Sequence, residues 1–241
     1  MDYLKIKNKR LFINNLDLKK ISKKKQTPFY VYSIDQIKKN VKLVKSSLKT
    51  TNSLICYAIK ANSNIEILQE LKKNDIGADV VSIGELKLAL KAGINPRKIV
   101  FSGVGKTEDE IKFAIQKGIL SLNAESQNEV SLINKISKKL NKITKIGIRI
   151  NPNIEVKTNK KITTGTKINK FGVSKEEFFK IIKSKKNLKN IKIHLLSVHI
   201  GSQIKDISAY KKVLNLISKI LLKLKKINLK VDFIDLGGGM G

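Results

Sequence analysis

Three stretches of this sequence place reactive or anion-binding groups where a buried strand ends. In Leu54-Ile55-Cys56-Tyr57-Ala58-Ile59-Lys60, an apolar run stops at a lysine, and the turn Asn62-Ser63-Asn64 follows. An ammonium desolvated at the carboxyl end of an inner strand loses its proton more readily and becomes a nucleophile towards carbonyls. In His199-Ile200-Gly201-Ser202-Gln203, an imidazole ends a second apolar run, with a glycine and two hydrogen-bonding side chains directly after it. A flat imidazole there can stack on an aromatic cofactor, although a lone histidine in such a place is as often a satisfied core residue. In Gly237-Gly238-Gly239-Met240-Gly241, bare backbone N–H groups at a strand-to-helix junction offer an anion cradle suited to phosphate. The competing reading of that run is a flexible tail. Glu85, Lys106 and Glu125 are weaker candidates, because each also fits the first turn of a helix.

Positioning these groups requires an alternation of strands and helices, and the pattern supplies it. Strands are predicted at Leu54–Ile59, Gly77–Ser82, Lys98–Ser102, Ile119–Leu122, Lys145–Ile150, Ile193–Ile200 and Val231–Leu236. Between them lie amphipathic helices, two of which open on capping boxes, Thr107 with Glu110 and Ser174 with Glu177. A further helix carries Ile37, Val41, Val44 and Leu48 on one face, after a short extended segment at Thr27–Tyr32. Residues 1–26 are polar and lysine-rich, an N-terminal segment that is an edge strand or a tail. Seven βα-type strands with short connections fit a TIM-type (β/α)8 barrel better than an open doubly wound sheet. The count is one strand short, so the expectation is an incomplete barrel over residues 27–241, with a strand edge left unpaired. Polar residues gather at the carboxyl ends of the strands, which is where barrels build their sites.

Composition narrows the partners. The formal charge is +31 and the pI about 10.1, but among the 50 basic residues only Arg10, Arg97 and Arg149 are arginines. The lysines are spread over every predicted helix, aromatics are 5%, and Trp is absent, which argues for a solvated coat over a nucleic-acid surface. A nucleic-acid binder would show steep salt-dependent retention on DNA. The single cysteine, Cys56, excludes an internal disulfide framework and reads as a small buried hydrophobe. No apolar run approaches the length of a membrane span, so the expected setting is cytoplasmic, with neither membrane nor nucleic acid as partner.

A nucleophilic lysine, a ring-stacking histidine and a phosphate cradle on one rim describe a pyridoxal-phosphate site. The motifs carrying them resemble the fold-type III pyridoxal-phosphate decarboxylases, whose barrel is of the alanine racemase-like class. They are Tyr57–Asn62, Gly77–Leu86, Phe101–Lys106, Arg149–Pro152, Thr164-Gly165 with Lys170–Gly172, His199–Gln203 and Asp235–Gly241. In this order, and with the His-Ile-Gly-Ser-Gln form, they most resemble the bacterial diaminopimelate decarboxylases, over about Thr27 to the last residue.

The resemblance implies that Lys60 carries pyridoxal 5'-phosphate covalently, that His199 stacks on its ring with Ser202 nearby, and that Gly237, Gly238 and Gly239 face its phosphate. It implies a carboxy-lyase that removes carbon dioxide from the D-configured carbon of meso-2,6-diaminopimelate to give L-lysine, acting as a homodimer when complete, on a small-molecule amino-acid substrate. No metal is implied. Family members often carry a histidine in the loop before the Thr-Gly pair, where this chain has Asn159 in the neighbourhood, and another where Ser197 stands. They also supply a Glu-Pro-Gly-Arg segment from the last barrel strand, and a C-terminal β-domain with a cysteine that reaches across the dimer. Both would lie after Gly241, so the 241-residue chain alone is expected to be inactive or only marginally folded. Alternatives are a related ornithine, arginine or carboxynorspermidine decarboxylase, or a non-catalytic pyridoxal-phosphate-binding barrel.

Overall fold

The computed structural model describes residues 3–154 and 171–240. Two sheets form within them. The first is a small antiparallel meander of β1 (Leu4–Lys7), β2 (Arg10–Ile13) and β3 (Leu16–Asp17), followed by the short helix α1 (Leu18–Ser22). The segment expected as an edge strand or a tail thus pairs with itself; no ladder joins it to the larger sheet among the described residues.

The second sheet has seven parallel strands in sequence order. They are β4 (Cys56–Ala58), β5 (Gly77–Val80), β6 (Ile99–Phe101), β7 (Ser121–Ala124), β8 (Thr144–Arg149), β9 (Ile191–Ser197) and β10 (Phe233–Asp235). All seven coincide with predicted runs. Helix α2 (Ile34–Ser47) precedes β4. Helices α3 (Ile65–Lys73), α4 (Ile83–Lys91), α5 (Glu108–Lys117), α6 (Gln127–Lys139), α7 (Lys175–Lys183) and α8 (Ile207–Lys225) connect successive strands.

The helices form where they do because each start is capped and each inner face is apolar. Asn64, Ser82, Thr107, Ser126, Ser174 and Asp206 each accept a backbone N–H of the first turn, and both predicted capping boxes are present. On α8 the buried residues Ala209, Val213, Ile217, Ile220 and Leu224 recur every three or four positions, the spacing of one helix face. Lysines such as Lys211, Lys212, Lys219 and Lys223 fall between them. The basic excess is therefore largely a consequence of solvating the outer faces of these helices.

Whether the sheet is flat or curled is decided by contacts across it. Neighbouring strands lie about 4.8 Å apart, so β7 and β10, with two strands between them, would be roughly 14 Å apart in a flat sheet. Yet Asn123 Nδ2 on β7 reaches Asp235 Oδ2 on β10 at 3.4 Å. The sheet curls on itself as seven consecutive strands of a (β/α)8 barrel do, with its interior between β4 and β10 open. Those two are its edge strands.

One irregularity shapes the lower part of β9. Ile193 pairs with Ile146 and Leu195 with Gly147, so His194 has no opposite residue on β8, a β-bulge. His194 is fully buried, its ring lies edge-on to Phe233, and among the described residues neither ring nitrogen has a partner in good hydrogen-bond geometry. Burial, with Lys145 and Lys192 adding and Asp232 and the Leu120 backbone opposing, pushes its pKa down from 6.5 to about 4. A histidine that resists protonation when folded makes the unfolded chain bind more protons between pH 6.5 and 4. Its contribution to stability is whole above that window and declines as pH falls through it. We expect urea-unfolding free energy to fall from pH 6.5 to 4, and His194→Gln to make that slope shallower; Asp79, described below, contributes with the opposite sign.

Candidate active site

Lys60 lies just past β4, in the single 3-10 turn Ile59–Ala61, and its side chain is exposed. The expectation of a desolvated lysine on an inner strand is corrected here. β4 is an edge strand that pairs only with β5 among the described residues, and these leave Lys60 beside it exposed. It is Ile59 that points into the core, fully buried.

Asp79, on the adjacent β5, faces the same interior. Burial pushes its pKa up to about 6, opposed by a hydrogen bond from Ser102 Oγ at 2.9 Å and raised further by Asp235, while the Lys60 cation acts to lower it. Cys56 feels the same two carboxylates, and burial takes its thiol up to about 12, which leaves it unreactive as a nucleophile.

Across the opening, the end of β9 and the glycine run after β10 fold against each other. Gly238 N donates to His199 Nδ1 at 3.4 Å, and Ile204 N to Gly239 O at 2.8 Å. Tyr210, on α8, donates its hydroxyl to Gly238 O at 3.1 Å. The imidazole must be neutral to accept at Nδ1. Its surroundings favour that form, since burial and the nearby Arg149 and Lys60 cations push His199 down from 6.5 to about 4.

Two glycines are required by this packing. Gly237 has φ 68°, and a Cβ there would stand 2.6 Å from His199 Nδ1 and 2.7 Å from Val198 O. At Gly239, with φ 87°, a Cβ would collide with the carbonyl of Gly201. Gly238 between them faces open space. The run is therefore a formed loop, exposed at its middle glycine. Its N–H groups are less bare than expected, since Gly237 N is held by Asp235 Oδ1 at 2.8 Å. Ser202 follows Gly201 in the bend beneath Gly239 and is half-buried.

The weaker candidates resolve into supports. Glu85 accepts the backbone N–H of Val81, in the manner of a helix cap. Lys106, almost fully buried, bonds the carbonyl oxygens of Gly103 and Asn123 and pairs with Glu129 at 2.6 Å. Glu125 is a junction. Its carboxylate accepts from Gly103 N at 2.9 Å, Gly172 N at 3.1 Å and Arg149 Nη1 at 3.2 Å, while Arg149 stacks on Phe171 at 4.7 Å. Three rim loops are thereby tied to one buried charge. The residues that sequence reasoning passed over are Asp79 and Asp235. A carboxylate set within Gly-Ala-Asp-Val-Val and Phe-Ile-Asp-Leu was the signal for each. Thr164, Gly165, Lys170 and Asn159 lie outside the described residues.

A curled parallel sheet with a lysine, a neutral imidazole and a glycine loop on its carboxyl rim defines a barrel of the pyridoxal-binding class. The side-chain-free, exposed turn at Gly238 and the unprotonated ring fit a phosphate and a planar heteroaromatic ring. The chain belongs to the family described as pyridoxal-dependent decarboxylase, pyridoxal binding domain, which it matches over residues 34–241.

A diaminopimelate decarboxylase from Campylobacter jejuni is 42% identical over 229 residues, covering 94% of this chain and 56% of the relative. The crystal structure of diaminopimelate decarboxylase from Helicobacter pylori complexed with L-lysine superposes with a TM-score of 0.90 at 43% identity, over 93% of this chain and 57% of that one. A diaminopimelate decarboxylase from M. jannaschi gives 0.92 at 37% identity, over 100% and 57%. The chain thus spans little more than half the length of these relatives.

Removing the junction at Glu125 leaves Arg149 and two backbone N–H groups unpaired in a buried setting. Glu125→Ala should lower unfolding free energy by about 3–5 kcal/mol in urea titrations, the scale of breaking one side of a buried ion pair.

Proposed function

We propose that this chain is the cofactor-binding barrel of a diaminopimelate decarboxylase, converting meso-2,6-diaminopimelate to L-lysine and carbon dioxide. The observation that carries the reading is the convergence of Lys60, His199 and the Gly237–Gly239 loop on one rim of a barrel of this family. The names of the similar proteins support the substrate. The barrel proper is placed at residues 27–241, with residues 1–26 as an N-terminal segment. The complete protein is proposed as a cytoplasmic homodimer, which takes a small amino acid and neither nucleic acid nor membrane.

In this reading Lys60 attaches pyridoxal 5'-phosphate through its ε-amine, which the open edge beside β4 leaves accessible. His199 would offer the ring an uncharged imidazole face, kept neutral by burial and by the nearby Arg149 and Lys60 cations. Gly238 and Gly239 offer the phosphate their backbone, and Ser202 stands beneath them as a hydroxyl donor. When bound, the cofactor supplies an electron sink for the carbanion left by departing carbon dioxide. The protein's share is to orient the scissile bond and to keep water from the reacting carbon.

Incubation with pyridoxal 5'-phosphate, borohydride reduction and peptide mapping test the attachment. Among 50 basic residues the label should concentrate on Lys60 and vanish in Lys60→Ala. Selective label on another lysine would refute the assignment.

A further inference from the structure

The interior of the curled sheet holds a line of polar side chains that the proposed chemistry does not use. It starts at Asp79 on β5, whose Oδ1 accepts from Ser102 Oγ at 2.9 Å. Ser102 Oγ in turn accepts from Asn123 Nδ2 at 3.3 Å, and the same amide reaches Asp235 Oδ2 at 3.4 Å. Ser121 Oγ holds Asn123 Oδ1 at 3.0 Å and so orients the amide, with Ser121 and Asn123 both fully buried. The line ends in a carboxylate with donors from three elements: Asn123 from β7, Ser197 Oγ from β9 at 2.9 Å, and Gly237 N from the loop at 2.8 Å.

β10 itself gives the loop little support. It is three residues long and, among the described residues, pairs with β9 alone and exposes Phe233 and Ile234. The Asp235 side chain adds constraints that this ladder does not supply. One oxygen closes a two-residue turn that sets Gly237 in its left-handed conformation, and the other is bound to two strands of the barrel wall. Gly238, the glycine that faces open space, follows directly.

We propose that Asp235, braced by Ser197 and Asn123, is the positioning residue that aims the glycine loop at the cofactor's phosphate. The inference rests on the function proposed above. It gives Gly237 a different part from its neighbours: its N–H faces inward to Asp235, which leaves the phosphate to Gly239 and to Gly238, whose long 3.4 Å bond to His199 Nδ1 the phosphate would replace. It also gives Ser197 a defined partner. A carboxylate suits the position because three donors converge on it. An asparagine would present its own N–H2 towards one of them.

The test separates aiming from general support by comparing two probes that differ only in the phosphate, pyridoxal 5'-phosphate and pyridoxal. Affinity of each for the protein is read from the absorbance of the Lys60 adduct in wild type, Asp235→Ala, Asp235→Asn and Ser197→Ala. Wild type should prefer the phosphorylated probe. Asp235→Ala should cut that preference about tenfold, the scale of one lost charge-assisted hydrogen bond. Asp235→Asn should fall between, and Ser197→Ala, which leaves the carboxylate in place, should give a smaller loss in the same direction. Equal weakening towards both probes would mark a purely structural residue and overturn the proposal. Should Asp235→Ala fail to fold, an unchanged preference in Asp235→Asn and Ser197→Ala would overturn it as well. Wild-type protein that binds both probes without preference would remove the phosphate role of the loop. Wild-type protein that binds neither would overturn the proposed function itself.

Discussion

The curl of the parallel sheet is the constraint on which everything else depends. A flat sheet would keep β4 and β10 on opposite flanks, far beyond the reach of side chains. Curled, it encloses an interior that Asp79, Ser102, Asn123, Ser197 and Asp235 share, and it brings the end of β4 within electrostatic reach of the end of β9. Buried polar groups are costly unless paired, so this line of hydrogen bonds also selects one arrangement of the strands over others. The outer side of the sheet is simpler. There, apolar residues such as Leu68, Ile111, Ile133 and Phe178 are fully buried.

Charge is sorted by the same geometry. Most of the lysine excess lies on outward helix faces, where it is solvated and contributes little to stability. A few charges are taken inside and given full sets of partners: Lys106 with Glu129, and Arg149 with Glu125. These pairs sit behind the rim and fix the loops that carry the site. The carboxyl rim keeps its cations beside a neutral imidazole, an arrangement suited to an anionic, planar ligand.

Much of the fold was legible in the sequence because apolar periodicity and caps are local. All seven strands and both capping boxes fall where the pattern puts them, and the order β4 to β10 follows from the alternation alone. The N-terminal segment was less legible. Leu4, Ile6, Leu11 and Ile13 show apolar content but do not say which strand they pair with, and they pair with one another. His194 was not legible either, since a bulge is a register event between two strands that are distant in sequence.

By itself the sequence determined which residues carry chemistry: a lysine, a histidine and a glycine run each end an apolar stretch, and that is set by residues a few positions apart. Only the tertiary structure decided what surrounds them. Lys60 turned out exposed, because burial depends on the strand next to β4 and not on the strand that bears the lysine. His199 is pushed towards its neutral form first by burial and then by Arg149 and Lys60, all of which reach it through space. The glycine run turned out to be a shaped loop and not a loose tail, because Asp235 draws Gly237 inward while Gly201 and Tyr210 hold Gly239 and Gly238 from the other side. Burial and electrostatics are sums over neighbours in space, and those neighbours come from every part of the chain.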